Sequence, residues 1–409
     1  MNTNDKKIVR ELALRYMALA TDDRQQKMNA RMKATNDLKI VRPPLLIDEI
    51  QWGQMNFDGS LTCLCEDPRA RRVEAKLRQG IFRREHLVAD TLLEPFWRVR
   101  MRLESTGSGL PRPQGETLYS GKNTGIASHS FEDLLEDEEI LETLHMPTFT
   151  LRPDIDEENM AFYTELFGDS MPVYLTGHNY FTFAPWDDIA FLRGIEPILM
   201  DMYDRPEYLH RIMQHYVAVF EAEADFVEGH MPVDTTVTDM HCTPAMVSGL
   251  APSGLKATWY RGTAQAFSVV SPQMFEEFEI NYIRPLAERF GYSYYGCCEP
   301  LHDRMDAVKK IANLRKIGVS PWADVETSAE QIGGAYVMAR KPNPAHVAVR
   351  TDPLVVRKEI EETVKACGKY GCPVEFVLKD ISTISNRPEN LIEWAKAASE
   401  VLDAYYGGD

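Results

Sequence analysis

The chain has 409 residues, 44% hydrophobic and 26% charged, the range of an ordinary globular protein and too apolar for a disordered one. Lys and Arg number 45 against 62 Asp and Glu, a net charge of −17, and such a surface repels phosphate backbones and argues against a nucleic-acid partner. No apolar run reaches the roughly 18 residues of a membrane span, the polar start MNTNDKK is unlike a signal peptide, and seven cysteines, an odd number, suit reduced thiols in a cytoplasm.

Residues 5–40 lack Pro and Gly and predict one or two amphipathic helices ending at Arg42-Pro43-Pro44. Residues 66–105 read as helical, and 106–125, rich in Gly, Ser and Pro, as a surface loop or a lid. Pro172–Thr176 and Thr235–Met240 are strand candidates, with helices at 186–201 and 205–228 between them. Met274, Phe278, Tyr282, Leu286 and Phe290 mark one helix closed by Gly291, with Ser271 as N-cap. Four strand-then-helix units follow. The strands are Tyr292–Cys298, Leu314–Ser320, Ala335–Arg340 and Pro373–Lys379. Their helices are a run from Leu301 to Ile311, Val325–Ile332, 352–369 and Pro388–Tyr405. Strict alternation means parallel strands with helical crossovers. The expected fold is α/β, a (β/α)8 TIM barrel from 141–409, with 1–140 as a helical extension and loops packed on it. A doubly wound sheet is the alternative, but no GxGxxG sits at a strand-to-helix turn to support a dinucleotide site.

In a parallel barrel the active site forms from the loops after the strands. Those loops begin with Gly177-His178, His241-Cys242, Cys298-Glu299, Ser320-Pro321-Trp322, Lys341-Pro342-Asn343 and Asp380. Concentrated thiols, imidazoles and charges point to an enzyme. Neighbouring residues on a strand face opposite ways, so one thiol of Cys297-Cys298 is expected in the site, Cys298, and the other against helices. Cys298, His241 and either Glu299 or Asp380 would make a zinc set of three ligands with an open position; buried cysteines that merely pack are the plainer reading. His241, Glu299 and Asp380 are also the acid/base candidates. His178, Gln265, Trp322, Lys341 and Asn343 are the candidates for lining a substrate pocket.

Several stretches resemble the uroporphyrinogen decarboxylase superfamily. The segment MPVYLTGHNYFTFAPWDDIAFLRGIEPILMDMYDRPEYLHRIM, with Asp204, Pro206, Glu207 and His210, is similar to the family's strand, glycine turn and following helices. VVSPQMFEEFEINYIRPLAERF resembles its SP-x-x-F-x-E-F helix, and YYGCCEPL aligns with the strand that reads H-x-C-G in its zinc-dependent methyltransferase branch. With VLKDISTISNRPENLIEWAKAA the resemblance spans about residues 140–409. It implies a (β/α)8 barrel and a methyltransferase that moves a methyl group between a small methylated or methoxylated compound, or a thiol, and a corrinoid protein. Zinc would assist and the cobamide would come with the partner; an O-demethylating component fits this description. Only Cys298 carries over as a ligand, since Gly296 stands in the family's His position and Asp380 near its late Cys. The arginine-rich loop of the decarboxylase branch is missing from the sequence. A metal-free decarboxylase of a small non-tetrapyrrole acid, with Lys341 on the carboxylate and Asp380 on the proton, is the second expectation. A pair of copies is compatible with a barrel of this size.

Overall fold

The computed structural model describes residues 2–120 and 127–407. Two helices open the chain, Thr3–Ala20 and Asp23–Asn36, each started by a side chain that takes an orphan amide: Asn2 from Asp5 N, and Asp22 from Gln25 N. Pro43-Pro44 then forces extended backbone, and Leu45–Ile47 becomes the first strand of the main sheet.

That sheet has seven strands, all parallel. In hydrogen-bonded order they are Leu45–Ile47, Val374–Leu378, Val337–Arg340, Leu314–Val319, Tyr292–Tyr295, Trp259–Gly262 and Phe181–Phe183. The strands of the four C-terminal units appear where expected, although the first ends at Tyr295 and its helix, expected from Leu301 to Ile311, is only Met305–Val308; the Val325–Ile332, Pro353–Tyr370 and Glu389–Tyr406 helices follow the other three. The sheet also takes its first strand from the part expected to be an N-terminal extension. Trp97–Arg100 and Val173–Thr176 form a separate parallel pair.

Four expectations need correction. Only Pro68–His86 is helical within 66–105; Trp97–Arg100 and Leu103–Ser105 are strands, because Leu87 turns extended and Arg98 is held by Glu94 rather than by a helical turn. The TTVTDM run, rich in β-branched residues, supplies only the two-residue strand Asp239–Met240, antiparallel to Thr243–Pro244. The Asp234 carboxylate accepts from Thr236 N at 2.9 Å and from its hydroxyl at 2.7 Å, closing an Asx turn that breaks the strand. The helix from Met274 onward is Pro272–Phe275, a π turn at Glu276–Ile280, then Asn281–Ala287. Gly115–Ser120 pairs antiparallel with Ala127–Phe131 within the expected 106–125 loop; residues 121–126 lie outside the described residues.

Alternation along the strands divides the sheet into two unlike faces. Tyr260, Tyr295, Ile317, Met338, Phe376 and Leu378 pack under the helices around Trp394, Leu391 and Ile360 as the main core. The opposite, inner face carries Arg261, Tyr294, Lys316, Lys341, Glu375 and Lys379, all buried. Apolar side chains are what stability alone would place on a buried face of a parallel sheet. Lys316 and Glu375 pair at 2.9 Å with no exposure to water, and Thr243 and the Pro244 carbonyl complete the ammonium's shell. No helix among the described residues is long and apolar enough to cross a membrane.

Candidate active site at the carboxyl ends of the strands

The Tyr292–Tyr295 strand ends at Gly296, whose φ of +97° suits glycine. A Cβ there would lie 2.7 Å from Leu301 Cδ1, and one on Gly318 of the neighbouring strand would lie 2.8 Å from the Gly296 carbonyl carbon. The two glycines let the strand ends close up while the chain turns. Beyond that turn strand alternation no longer applies, and both thiols face the same place, with the Cys297 and Cys298 sulfurs 3.5 Å apart. The expected division, one thiol in the site and one against helices, is overturned by this bend.

Cys297 is the better-held thiol. Lys379 Nζ donates to its sulfur at 3.4 Å, and His241 Nε2 lies 3.8 Å away. Cys298 donates to Asp380 Oδ2 at 3.1 Å, and Lys379 is paired with Asp380 at 3.2 Å. His241 and Asp380 sit at φ of +56° and +58°, strained for non-glycine residues. Each is pinned through its amide, His241 N to the Tyr180 hydroxyl at 2.9 Å and Asp380 N to Glu49 Oε2 at 2.6 Å. The hydrogen bond with Cys298, then that with His241 and the charges of Lys341 and Lys379, overcome burial and hold the Cys297 thiol far below its ordinary value. The same hydrogen bond, burial, the adjacent thiolate and Asp380 push Cys298 far up. Burial opposes a charge on His241, yet hydrogen bonds to Cys242 and Cys297 win and raise it. The centre is the Cys297 sulfur between an ammonium and an imidazole, with the Cys298 thiol beside it.

The other expected residues divide clearly. Glu299 is wholly buried and points away from the sulfurs. It accepts from the Thr263 hydroxyl at 2.8 Å and the Cys297 amide at 2.9 Å, so it fixes the loop, and burial followed by the Cys297 charge raises its pKa. Lys341 enters the inner face below Cys297, donating to the Tyr294 hydroxyl at 2.8 Å. Gln265 is occupied by Asp187, through its amide at 3.0 Å and its side chain at 2.9 Å. Asn343 caps a local turn by accepting from Ala345 N. His178 stacks on Phe181, and burial lowers its pKa to about 4. Trp322 stands exposed on the rim. Phe181, Phe183 and Trp186, in the segment after His178, are buried core.

The expected metal set, Cys298, His241, Glu299 and Asp380, does not assemble. Zinc draws its ligands around one point at about 2.0–2.3 Å, whereas among the described residues no three His, Cys, Asp or Glu side chains are grouped to hold a metal ion. The donors run instead as a file from His241 through Cys297 and Cys298 to Asp380, and an ammonium already sits on the Cys297 sulfur. The residues present do not fit zinc in this arrangement.

Lys379, Glu49, Arg261 and the Cys297 thiol are parts of the site that the sequence reading missed. One signal was there: in PVEFVLK the polar residues Glu375 and Lys379 fall on one face of an otherwise apolar strand, which a packing role does not require.

Fold and site together define an α/β protein with a parallel sheet, N-terminal helices and a thiolate-centred polar site at the strand ends. No protein-family model and no curated protein matches the chain. Among solved structures it is similar to a methyltransferase from Methanosarcina mazei, at 13% identity and a TM-score of 0.48, over 93% of this chain and 99% of that one.

Proposed function

We propose that this chain is a methyltransferase that removes a methyl group from a small methylated compound and passes it to the cobamide of a corrinoid partner. The carrying observation is the Cys297 sulfur held between Lys379 and His241, at the end of a sheet whose inner face is charged. Sheet order supports a (β/α)8 barrel as the scaffold. Strands successive in the chain lie side by side from Trp259–Gly262 onward, and the first strand pairs in parallel with the last, the pairing that closes a barrel. The Trp97–Arg100 and Val173–Thr176 pair falls, in chain order, in the remaining gap. The motif resemblance in the sequence supports the methyl chemistry.

Demethylating an ether or amine needs a proton for the departing atom. His241, exposed at the site and held charged beside the Cys297 thiolate, supplies it: the carbon–oxygen or carbon–nitrogen bond breaks, the methyl goes to the partner's acceptor, the electron pair stays on the departing atom, and the imidazolium proton follows. Hydrogen bonds to Cys242 and Cys297 favour the charged imidazole, and the Cys298 and His241 hydrogen bonds with the charges of Lys341 and Lys379 favour the Cys297 thiolate. Val269, Trp322 and Val349, exposed apolar residues in three loops after the strands, give a partner something to cover.

The test is methyl transfer from a panel of methylated compounds to free cob(I)alamin, followed by the cobalt absorption spectrum. His241→Gln is expected to lower kcat by about 10²–10⁴-fold, the usual contribution of a positioned acid, with KM little changed. Wild-type turnover in His241→Gln would remove the proposed role, and no transfer from any donor would remove the reading.

A further inference from the structure

Arg261 lies on the inner face of the Trp259–Gly262 strand, opposite in sense to Tyr260, which packs under the helices. It is 6% exposed, and its Nε has no hydrogen-bond partner. Among the described residues nothing else binds its guanidinium. Arg304, by contrast, is held by Asp303 and the Phe267 carbonyl, and Arg84 and Arg340, whose Nε atoms are also unpartnered, each still hydrogen-bond elsewhere, to Asp22 and to the Ser320 carbonyl. Lys341, 1% exposed, donates to the Tyr294 hydroxyl and the Ala339 carbonyl but meets no carboxylate. The anions nearby are already engaged. Glu375 is paired with Lys316, Glu299 with the Thr263 hydroxyl and the Cys297 amide, and Cys297 with Lys379 and His241. Thr182, paired with Arg261 across the ladder, is exposed, so this part of the inner face opens to water.

The Cys297 charge favours the Arg261 cation through space, but a buried guanidinium fork without hydrogen-bond partners remains costly unless a ligand completes it. From this geometry we propose that Arg261, with Lys341, binds the carboxylate of the substrate, so that the methylated compound is a small carboxylic acid. The guanidinium fork takes a planar carboxylate through two parallel hydrogen bonds, and the ammonium adds a third donor. Because the Cys297 charge also acts on Arg261, the two cations balance a monoanion better than a dianionic phosphate. The acid would lie with its carboxylate between Arg261 and Lys341 and its methyl-bearing end toward His241. This inference rests on the methyltransferase reading for what happens to the substrate, but not for how it is held.

Binding is measured calorimetrically on the full chain with acetate, methoxyacetate and benzoate, each against its neutral amide and against inorganic phosphate. At least one acid is expected to bind with its amide weaker by about tenfold or more, the discrimination a charge-assisted bidentate pair gives. Arg261→Gln and Lys341→Gln should each abolish that preference, and Arg261→Lys should restore part of it. Arg261→Gln is also expected to leave the Tm of the free protein unchanged or higher, because buried donors without hydrogen-bond partners are removed; a structural arginine would lose stability instead. Equal affinity for acid and amide, phosphate binding more tightly than every acid, no binding by any of the three acids, or a lowered Tm in Arg261→Gln would each overturn the proposal. Failure of the functional reading looks different. Acids that bind through Arg261 yet yield no methylated cobalamin leave the anion site standing, and release of carbon dioxide from them turns the function to a decarboxylase.

Discussion

Replacing Lys379 by methionine removes the ammonium that lies 3.4 Å from the Cys297 sulfur. Two unit charges at that distance interact by about 5 kcal/mol at an effective dielectric of 20, which corresponds to about 3.5 pKa units. The Cys298 hydrogen bond, that of His241 and the charge of Lys341 remain to favour the thiolate, and burial remains to oppose it. The net expectation is a rise of roughly 2–4 units in the Cys297 pKa. The thiolate absorbs in the ultraviolet, so the titration is read as the difference between each protein and its Cys297→Ser counterpart, without a reagent having to reach a buried sulfur. In the native protein Cys297 should be ionised throughout the mildly acidic range, far below the ordinary thiol value of about 8.5. Lys379→Met should bring a resolved titration into view, and Lys379→Arg should remove it again. An unchanged profile in Lys379→Met would refute the electrostatic account of the centre.

Three further outcomes follow from the same structure. Glu375→Gln leaves the Lys316 ammonium unpaired in a dry interior and should lower stability by about 3–5 kcal/mol in urea unfolding, while Lys316→Met combined with Glu375→Leu recovers most of it; a loss below about 1 kcal/mol for the single change contradicts the pairing. His178 has a folded pKa of about 4, below its unfolded value of about 6.5, so its stabilising contribution is complete above that value and is lost as pH falls toward 4. His178→Phe, which keeps the stacking on Phe181, should flatten that limb of the stability–pH curve, and an identical slope in the variant would exclude His178 as its source. Gly296→Ala forces a side chain onto φ of +97° and against Leu301; a loss of about 1–3 kcal/mol is expected, together with loss of the acid-range thiolate signal, whereas native stability and signal would show that the turn does not position the cysteines.

Much of the sheet was legible because its strands are punctuated. Leu314–Val319, Val337–Arg340 and Val374–Leu378 are short apolar runs set off by turns and followed by helices with regular apolar stripes, so period and length both separate strand from helix. Leu45–Ile47 and Trp97–Arg100 were not legible. Three residues after two prolines carry no period, and Trp-Arg-Val-Arg reads equally as a helix flank; what decides each is a partner strand about 330 or 75 residues away in sequence. His241 and Asp380 were placed in the site by the rule that function gathers after parallel strands. Cys297 was placed wrongly because that reading carried strand alternation one residue past Gly296, whose positive φ resets the direction of both side chains. Lys379 was counted as the end of a strand, and Arg261 was passed over. A buried charge becomes visible only when its partners, or their absence, can be counted.

The most direct test of the account follows the methyl group itself. A 13C-methyl-labelled donor that passes the cob(I)alamin screen is mixed with the native protein, and the label is traced by NMR, in parallel with His241→Gln and Cys297→Ser. The account predicts label on cobalt and a demethylated product with the native protein, and little transfer with either variant. Label that stays in the donor, or transfer at the native rate when both side chains are altered, would contradict it.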